Sequence, residues 1–162
     1  THSDQALALL QDPSAHERSV LGAIGYQPNV AVLHTDTAVM PARRAAWSAW
    51  NYERAQDAGR ESARVCLHYW INRLQSLPFG QDVIVSLNPV RTIDPAKILQ
   101  RIDYAHPVFD TAAMAAQQQV GALQGAQRRY YAGAWMGYGF HEDGLKAGQA
   151  AAQALLRDLE AA

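Results

Sequence analysis

The stretch that decides the fold is residues 46–70, AWSAWNYERAQDAGRESARVCLHYW. Two runs rich in aromatic and other strand-forming residues, 46–52 and 63–70, lie on either side of a polar segment. The polar segment, 54–60, is expected to form a surface turn. The two runs therefore predict a β-hairpin, and with it an antiparallel sheet.

Further elements are predicted on both sides of this hairpin. Strands are expected where β-branched and aromatic residues cluster, at 30–35, 83–87, 97–104 and 129–132. Helices are expected after capping signals, such as Ser14 followed by Glu17, at 5–10, 15–24, 111–123 and 142–159. Helices that flank a mostly antiparallel sheet define an α+β fold.

Length and composition restrict the class of protein. The chain has 162 residues, of which 49% are hydrophobic, which is enough for one domain with a core. A net charge of −1 without a basic stripe argues against nucleic acid or an anionic membrane as a partner. No apolar run is long enough to predict a membrane span. The single cysteine, Cys66, cannot form an internal disulfide, so a reducing cytoplasm is the predicted location.

The predicted hairpin carries an unusual concentration of aromatic residues. They are Trp47, Trp50, Tyr52, Tyr69 and Trp70. Trp50 and Tyr52 are two residues apart, a spacing that places both on one face of a strand. These rings either pack in the core or line a pocket for an apolar ligand.

The histidines offer one candidate for proton chemistry. His34 and Asp36 share a strand face, where they either form an acid/base pair or simply satisfy each other. No set of His, Cys, Asp and Glu residues has the spacing of a zinc site, so no metal is predicted. A serine nucleophile is not predicted either, because the chain has no G-x-S-x-G.

The C-terminal stretch 130–148, YYAGAWMGYGFHEDGLKAG, is the strongest indication of a ligand. It predicts a strand, a glycine-rich turn and a helix that begins near two acidic residues, Glu142 and Asp143. The first amides of a helix point outward without intrahelical partners and bind anionic or electron-rich groups. The alternative is a tight strand-to-helix connection that binds nothing.

Two segments of this stretch, YAGAW at 131–135 and GFHEDGLKAG at 139–148, carry a resemblance. They resemble the C-terminal flavin motif of the flavin-containing amine oxidase and phytoene desaturase superfamily. Further segments resemble a bacterial branch described only as predicted NAD/FAD-binding proteins: LHTD at 33–36, MP at 40–41, WSAWNY at 47–52 and YWIN at 69–72. The resemblance covers essentially the whole chain, as the C-terminal part of such a protein.

The resemblance implies an FAD-dependent oxidoreductase that oxidises an apolar or amine-bearing small molecule by hydride transfer to flavin. The residues that it implies for contact with FAD are Gly133, Ala134, Trp135, Gly139, Phe140, His141, Glu142, Asp143 and Gly144. It implies that Trp50, Tyr52 and Tyr69 line the substrate cavity. His34 is the candidate proton-handling residue.

The resemblance also implies a division into three parts. Residues 1–25 are the tail of the FAD-binding domain with linking helices, and 26–125 form a sheet and helices that resemble a substrate domain. Residues 126–162 are the C-terminal strand and helix of an FAD-binding domain.

Two features depart from the superfamily pattern. Ala134 stands where the superfamily has an acid, and no G-x-G-x-x-G follows a predicted strand. We therefore expect the N-terminal FAD-binding part to be supplied in cis or in trans, and this chain alone to be inactive. One alternative is a flavin-free binding or assembly module that pairs with a separate N-terminal half or with another copy of itself. Another is a small-molecule-binding α+β domain whose likeness to flavoenzymes is accidental.

Overall fold

The computed structural model describes residues 1–54 and 66–161. Most of the turn predicted at 54–60, and the first residues of the strand predicted at 63–70, lie outside these ranges. The described residues form five α-helices and five β-strands. The α-helices are α1 (Ser3–Ala8), α2 (Ala15–Leu21), α3 (Ile71–Leu74), α4 (Thr111–Gln117) and α5 (His141–Glu160). The strands are β1 (Gly25–His34), β2 (Trp50–Glu53), β3 (Cys66–Trp70), β4 (Ile84–Leu87) and β5 (Ile98–Val108).

The predicted fold class, α+β with a mostly antiparallel sheet, is confirmed. The hairpin predicted from residues 46–70 forms, with β2 paired antiparallel to β3. The strand predicted at 97–104 forms as part of β5. The helix predicted at 111–123 ends earlier, at Gln117, and a 3₁₀ turn over Val120–Leu123 follows it.

The five strands form one sheet in the order β2–β3–β4–β1–β5. β3 pairs antiparallel with β2 and with β4, and β4 pairs antiparallel with β1. The register places Glu53 opposite Cys66 and His68 opposite Ser86. Directly opposed residues lie on the same face of a sheet, so this register decides which side chains meet.

The chain divides into two compact units. One consists of Thr1–Gln27 and His106–Ala162, and it contains α1, α2, α4 and α5. The other is Pro28–Ala105, which contains β2, β3 and β4 together with most of β1 and β5. The division into three parts at residues 25 and 125 stays a prediction.

Each unit has its own core. In the first unit, buried residues of α2 and α4 pack together with Leu123, Tyr131 and Trp135. In the second, Val32 of β1 and Ile84 of β4 pack against Val39, Met40 and Ile93.

The start of α2 is fixed by the predicted capping box. Ser14 Oγ accepts from the Glu17 amide at 3.1 Å, and Glu17 Oε2 accepts from the Ser14 amide at 2.7 Å. Glu17 is only 2% exposed, and it also accepts from the Tyr131 hydroxyl and from Arg129. Burial alone would raise the pKa of Glu17, but the hydrogen bonds from Tyr131 and the other donors outweigh it and lower the pKa to about 2. This buried carboxylate therefore ties α2 to the C-terminal segment.

The strand predicted at 129–132 is wrong, because these residues do not form a strand in the structure. The backbone groups of Tyr131 are satisfied by a side chain instead. Gln124 Oε1 accepts from the Tyr131 amide, and Gln124 Nε2 donates to the Tyr131 carbonyl, both at 2.8 Å. A strand needs a neighbouring strand to complete its hydrogen bonds, and the local sequence does not record whether one is present.

The predicted C-terminal helix forms as α5, with 20 residues. Its buried positions are the alanines Ala147, Ala151 and Ala154, whereas Leu156 and Leu159 are 58% and 65% exposed. Small side chains allow close approach on the buried side, and the larger apolar side chains remain in solvent. No helix in the described part of the chain is both long enough and apolar enough to cross a membrane.

Candidate functional site

One face of the sheet is apolar across four strands. One row of opposed residues consists of Trp50, Tyr69, Val85 and Leu33, and the next consists of Tyr52, Leu67, Leu87 and Ala31. We call these eight residues the aromatic face. On β2, Trp50 is 60% and Tyr52 is 64% exposed, and on β3 and β4 the side chains are half-buried. Large aromatic side chains in solvent are a common mark of a binding surface.

The predicted substrate-cavity residues are brought together on this face. The Trp50 and Tyr69 rings meet edge to face, with centroids 5.2 Å apart. Partial burial raises the pKa of the Tyr69 hydroxyl. Trp47 and Trp70 do not belong to this face, because they pack against the core of the second unit. The aromatic cluster thus divides, with some rings in the core and others on the exposed face.

The opposite face of the sheet carries a chain of hydrogen-bonded polar groups that begins with buried side chains and ends at the exposed Arg91, and we call it the polar relay. It consists of His34, Ser86, His68, Glu53 and Arg91. Ser86 Oγ lies 2.7 Å from His34 Nε2 and 2.6 Å from His68 Nδ1. His68 Nε2 lies 2.8 Å from Glu53 Oε2, and Arg91 Nε donates to Glu53 Oε1 at 2.5 Å. His34 and Ser86 are completely buried, and His68 is 1% exposed.

The backbone amide of Asp36 fixes the direction in which hydrogen bonds are donated along this relay. The Asp36 amide donates to His34 Nδ1 at 3.1 Å, so in a neutral ring the proton of His34 is on Nε2. His34 Nε2–H then donates to Ser86 Oγ, and the Ser86 hydroxyl donates to His68 Nδ1. His68 Nε2–H in turn donates to the carboxylate of Glu53. Burial first, and the neighbouring His68 second, lower the pKa of His34, which favours this neutral ring.

The predicted relation between His34 and Asp36 takes a different form. His34 meets the backbone amide of Asp36 and not its carboxylate. The Asp36 carboxylate instead accepts from the Asp94 amide and from Lys97 Nζ, each at 3.0 Å. The hydrogen bond from the Asp94 amide is the largest of the effects that lower the pKa of Asp36 to about 2. His34 lies on the face opposite to Trp50 and Tyr52, so the structure does not bring the candidate proton-handling residue to the aromatic face.

Several residues of the C-terminal motif have roles inside the protein. Trp135 is buried in the core of the first unit, and its Nε1 donates to the Thr1 carbonyl at 3.1 Å. A Cβ at Gly133 would lie 2.3 Å from the Trp135 ring, so packing alone requires glycine there. Asp143 Oδ2 accepts from the amides of Tyr138 and Phe140, both at 3.0 Å, and so caps the start of α5.

Most of the remaining motif residues are exposed, and Ala134 is half-buried. Phe140 is 68% exposed, and His141 and Glu142 are exposed at the first turn of α5. Ala134 opens the 3₁₀ turn Ala134–Met136, and Gly139 has a φ of 88°, a left-handed conformation that favours glycine.

Internal packing explains neither of the two glycines that this motif places inside α5, Gly144 in its first turns and Gly148 one turn later. A Cβ at Gly144 would meet nothing closer than the Ala134 Cβ, at 3.8 Å, which is ordinary contact. Glycine inside a helix costs about 1 kcal/mol relative to alanine, so its use in α5 lacks an internal reason.

Sequence reasoning missed one group of atoms that could hold a metal ion. Glu53, Cys66 and His68 place a carboxylate oxygen, a sulfur and an imidazole nitrogen within 4.8 Å of one another. Their separations in sequence match no zinc motif, because two come from one strand and the third from its neighbour. The available signal was strand register: Cys66 and His68 alternate onto one face, and Glu53 is opposite Cys66.

No protein-family model matches the chain, and no curated protein matches it significantly. The resemblance to flavoenzymes is therefore carried by the quoted residues alone. A functional hypothesis for this chain therefore depends on the geometry of the aromatic face and of the C-terminal motif.

Proposed function

We propose that the chain is the C-terminal portion of an FAD-dependent oxidoreductase that acts on an apolar or amine-bearing small molecule. The aromatic face is the observation that carries the proposal. Exposed rings on a sheet whose other face is buried are suited to hold a planar, apolar ligand. Trp50, Tyr52 and Tyr69 are the residues of this surface that contact the substrate.

The residues of the C-terminal motif fit a flavin in part. Gly133, Trp135 and Asp143 are occupied by packing and capping, so the fit rests on the exposed start of α5. There Phe140, His141 and Glu142 are accessible, and Gly144 leaves room that the fold itself does not use. The amides of a helix start are suited to an anionic group.

The roles of this chain's residues are binding and orientation. FAD, when bound, supplies the two-electron oxidant for a hydride removed from the substrate. The aromatic side chains exclude water from an apolar substrate and orient it. The first turn of α5 provides backbone N–H groups where negative charge accumulates. His34 supports this surface from the opposite face, through the polar relay.

The proposal includes partners and a location. The dinucleotide-binding part is supplied in cis or in trans. Self-association of the chain is compatible with either arrangement. A single buried cysteine is consistent with a reducing cytoplasm. The chain without its partner part is expected to bind FAD weakly or not at all.

Flavin content of the purified full gene product tests this proposal. We expect a yellow protein with bound FAD, and a colourless protein when the 162-residue chain is purified alone. Adding FAD to the chain together with a dinucleotide-binding part should raise its melting temperature. A full gene product that carries no flavin and gains no thermal stability from FAD would contradict the proposal.

Gly144→Ala separates a flavin role from a folding role. The added methyl group meets no close contact within the chain, so folding stability should stay the same or rise by about 0.5–1 kcal/mol. In the holoprotein the same methyl group should weaken FAD binding by about tenfold, which corresponds to about 1.4 kcal/mol. Gly148→Ala, one turn later and equally open, is the matched control. Equal FAD affinity in both variants would contradict the role of the α5 start.

A flavin-free assembly module is the second candidate, and the exposed leucines of α5 favour it. Leu145, Leu156 and Leu159 are each more than half exposed, which is typical of a helix that packs against a partner. Leu156→Glu should then abolish association with a separately produced N-terminal half, or with a second copy, in sedimentation experiments. In the flavoenzyme, the same variant would also lose FAD. Association without any flavin, in the wild-type protein, would favour the module.

A further inference from the structure

Three side chains at the β2–β3 edge of the sheet offer ligand atoms to one point. Cys66 Sγ lies 3.7 Å from His68 Nε2 and 3.9 Å from Glu53 Oε2, and the two lighter atoms are 2.8 Å apart. Cys66 and His68 are 2% and 1% exposed, and the Glu53 side chain is 19% exposed. The sulfur and the imidazole are therefore buried, and the carboxylate is the part of the cluster that reaches solvent.

The two distances to sulfur, 3.7 and 3.9 Å, lie within about 0.3 Å of the edges of a tetrahedral zinc site. With Zn–S near ~2.3 Å and bonds to nitrogen and oxygen near ~2.1 Å, tetrahedral angles give ligand-to-ligand edges of about 3.4–3.6 Å. The His68–Glu53 edge is shorter because a hydrogen bond joins these two side chains. Widening that edge by about half an ångström would accommodate the ion, and Glu53 is the most exposed of the three side chains.

We propose that Glu53, Cys66 and His68 form a binding site for a divalent zinc-like cation. The donor set decides the class of metal, because thiolate and imidazole favour zinc over magnesium and calcium. Three ligands leave one tetrahedral position for water, the arrangement of an open rather than a closed site. The site lies within the second unit and does not depend on the flavin proposal.

Supporting groups surround the three ligands. Metal-bound imidazoles usually donate from their other ring nitrogen, and ligating carboxylates are themselves hydrogen-bonded. His68 Nδ1 lies 2.6 Å from Ser86 Oγ, and Glu53 Oε1 accepts from Arg91. Arg91 Nη1 also donates to the Ala38 carbonyl at 2.8 Å, so this guanidinium is fixed in place. Both outer contacts therefore exist before an ion binds.

Binding changes the protons of the cluster in a defined way. The ion takes the position of the proton on His68 Nε2, and the neutral ring carries its proton on Nδ1, which donates to Ser86 Oγ. The hydroxyl oxygen has two acceptor positions, one for each imidazole. Cys66 releases its thiol proton and bonds as the thiolate. One proton thus leaves the protein for each ion bound, and binding weakens as the pH falls.

Cobalt titration of the chelator-treated, reduced chain tests the proposal. Co²⁺ replaces Zn²⁺ in such sites and reports them by visible d–d bands of tetrahedral cobalt and a near-ultraviolet thiolate-to-cobalt band. Because Cys66 is the sole cysteine of the chain, the thiolate band identifies one residue. We expect both bands to saturate at one Co²⁺ per chain, and Zn²⁺ to abolish them.

Three variants make the result specific. Cys66→Ser should remove the thiolate band. Glu53→Gln keeps a hydrogen-bond acceptor for His68, so it should stay folded, yet it should weaken cobalt binding by about 10- to 100-fold. His16→Ala removes an exposed histidine elsewhere and should leave the titration unchanged. The proposal is overturned if the wild type shows no thiolate band, or if Glu53→Gln binds cobalt as tightly as the wild type.

Discussion

The two faces of the sheet reverse the usual arrangement of polar and apolar groups. The aromatic face presents Trp50 and Tyr52 to solvent, whereas the opposite face buries two histidines and a serine. Every buried side-chain polar atom among the described residues has a hydrogen-bond partner. The polar relay is hydrogen-bonded within the chain, whereas the aromatic face leaves large rings in solvent.

Ser86→Ala should produce the largest loss of stability, because it removes the hydroxyl that joins the two histidines. Both imidazoles would keep a buried nitrogen without its partner, at a cost of about 3 kcal/mol in the free energy of unfolding. Urea unfolding measures this loss. Ser48→Ala, at an exposed position, is the control and should change stability by less than about 0.5 kcal/mol. Equal effects at the two serines would mean that the relay does not stabilise the sheet.

Asp36 should make the second unit sensitive to acid. Its pKa is lowered from the ordinary 3.8 to about 2 in the folded protein. The resulting stabilisation is complete above the unfolded pKa and is lost as the pH falls through 3.8 towards about 2. It amounts to about 2 kcal/mol.

Urea unfolding between about pH 5 and pH 2 checks this expectation. Asp36→Asn should reduce the acid dependence, since the amide has no proton to gain in this range, while Glu17, whose pKa is also lowered to about 2, keeps its own contribution. Asp103→Asn, at an exposed position of β5, should leave the curve as in the wild type. An unchanged slope in Asp36→Asn would show that the carboxylate is not the source of the acid dependence.

The edge-to-face contact between Trp50 and Tyr69 should contribute a smaller energy. A double-mutant cycle with Trp50→Ser and Tyr69→Ser should give a coupling energy of about 1 kcal/mol. Thermal or urea unfolding of the four proteins provides the measurement. A coupling near zero would mean that the contact between the two rings does not stabilise the sheet.

Tyr52→Ser should have the smallest effect on stability, below about 0.5 kcal/mol, because the side chain is largely in solvent. In the flavin-loaded full gene product the same variant should alter the visible spectrum of the flavin or the binding of aromatic ligands. A large loss of stability in the isolated chain would instead make Tyr52 a structural residue. The aromatic face would then stabilise the fold, as the polar relay does.

The sequence was sufficient where local rules decide the structure. The Ser14–Glu17 capping box depends on residues three apart, and the hairpin at 46–70 depends on alternation within each strand. Both formed. The segment 129–132 has strand-forming residues as well, but whether it becomes a strand depends on a neighbour, and Gln124 takes that place here.

The candidate site was less predictable, because its groups meet across strands. Pairing of β2 with β3 brings Glu53 to Cys66 and His68, a relation that no spacing in sequence expresses. The glycines of the C-terminal motif were hard to interpret from sequence for a different reason. Gly133 and Gly144 look equivalent in a motif, yet Trp135 excludes a side chain at the first and nothing close does so at the second. A glycine indicates a ligand only when packing leaves it unexplained.

The contact of Gln124 with Tyr131 has a consequence for how the C-terminal segment keeps its position. One amide side chain supplies the donor and the acceptor that an adjacent strand would supply, and Glu17 holds the Tyr131 hydroxyl as well. The backbone is thereby anchored in front of α5 without any neighbour in a sheet. One glutamine and one buried acid therefore help to set the position of the residues that lead into the helix.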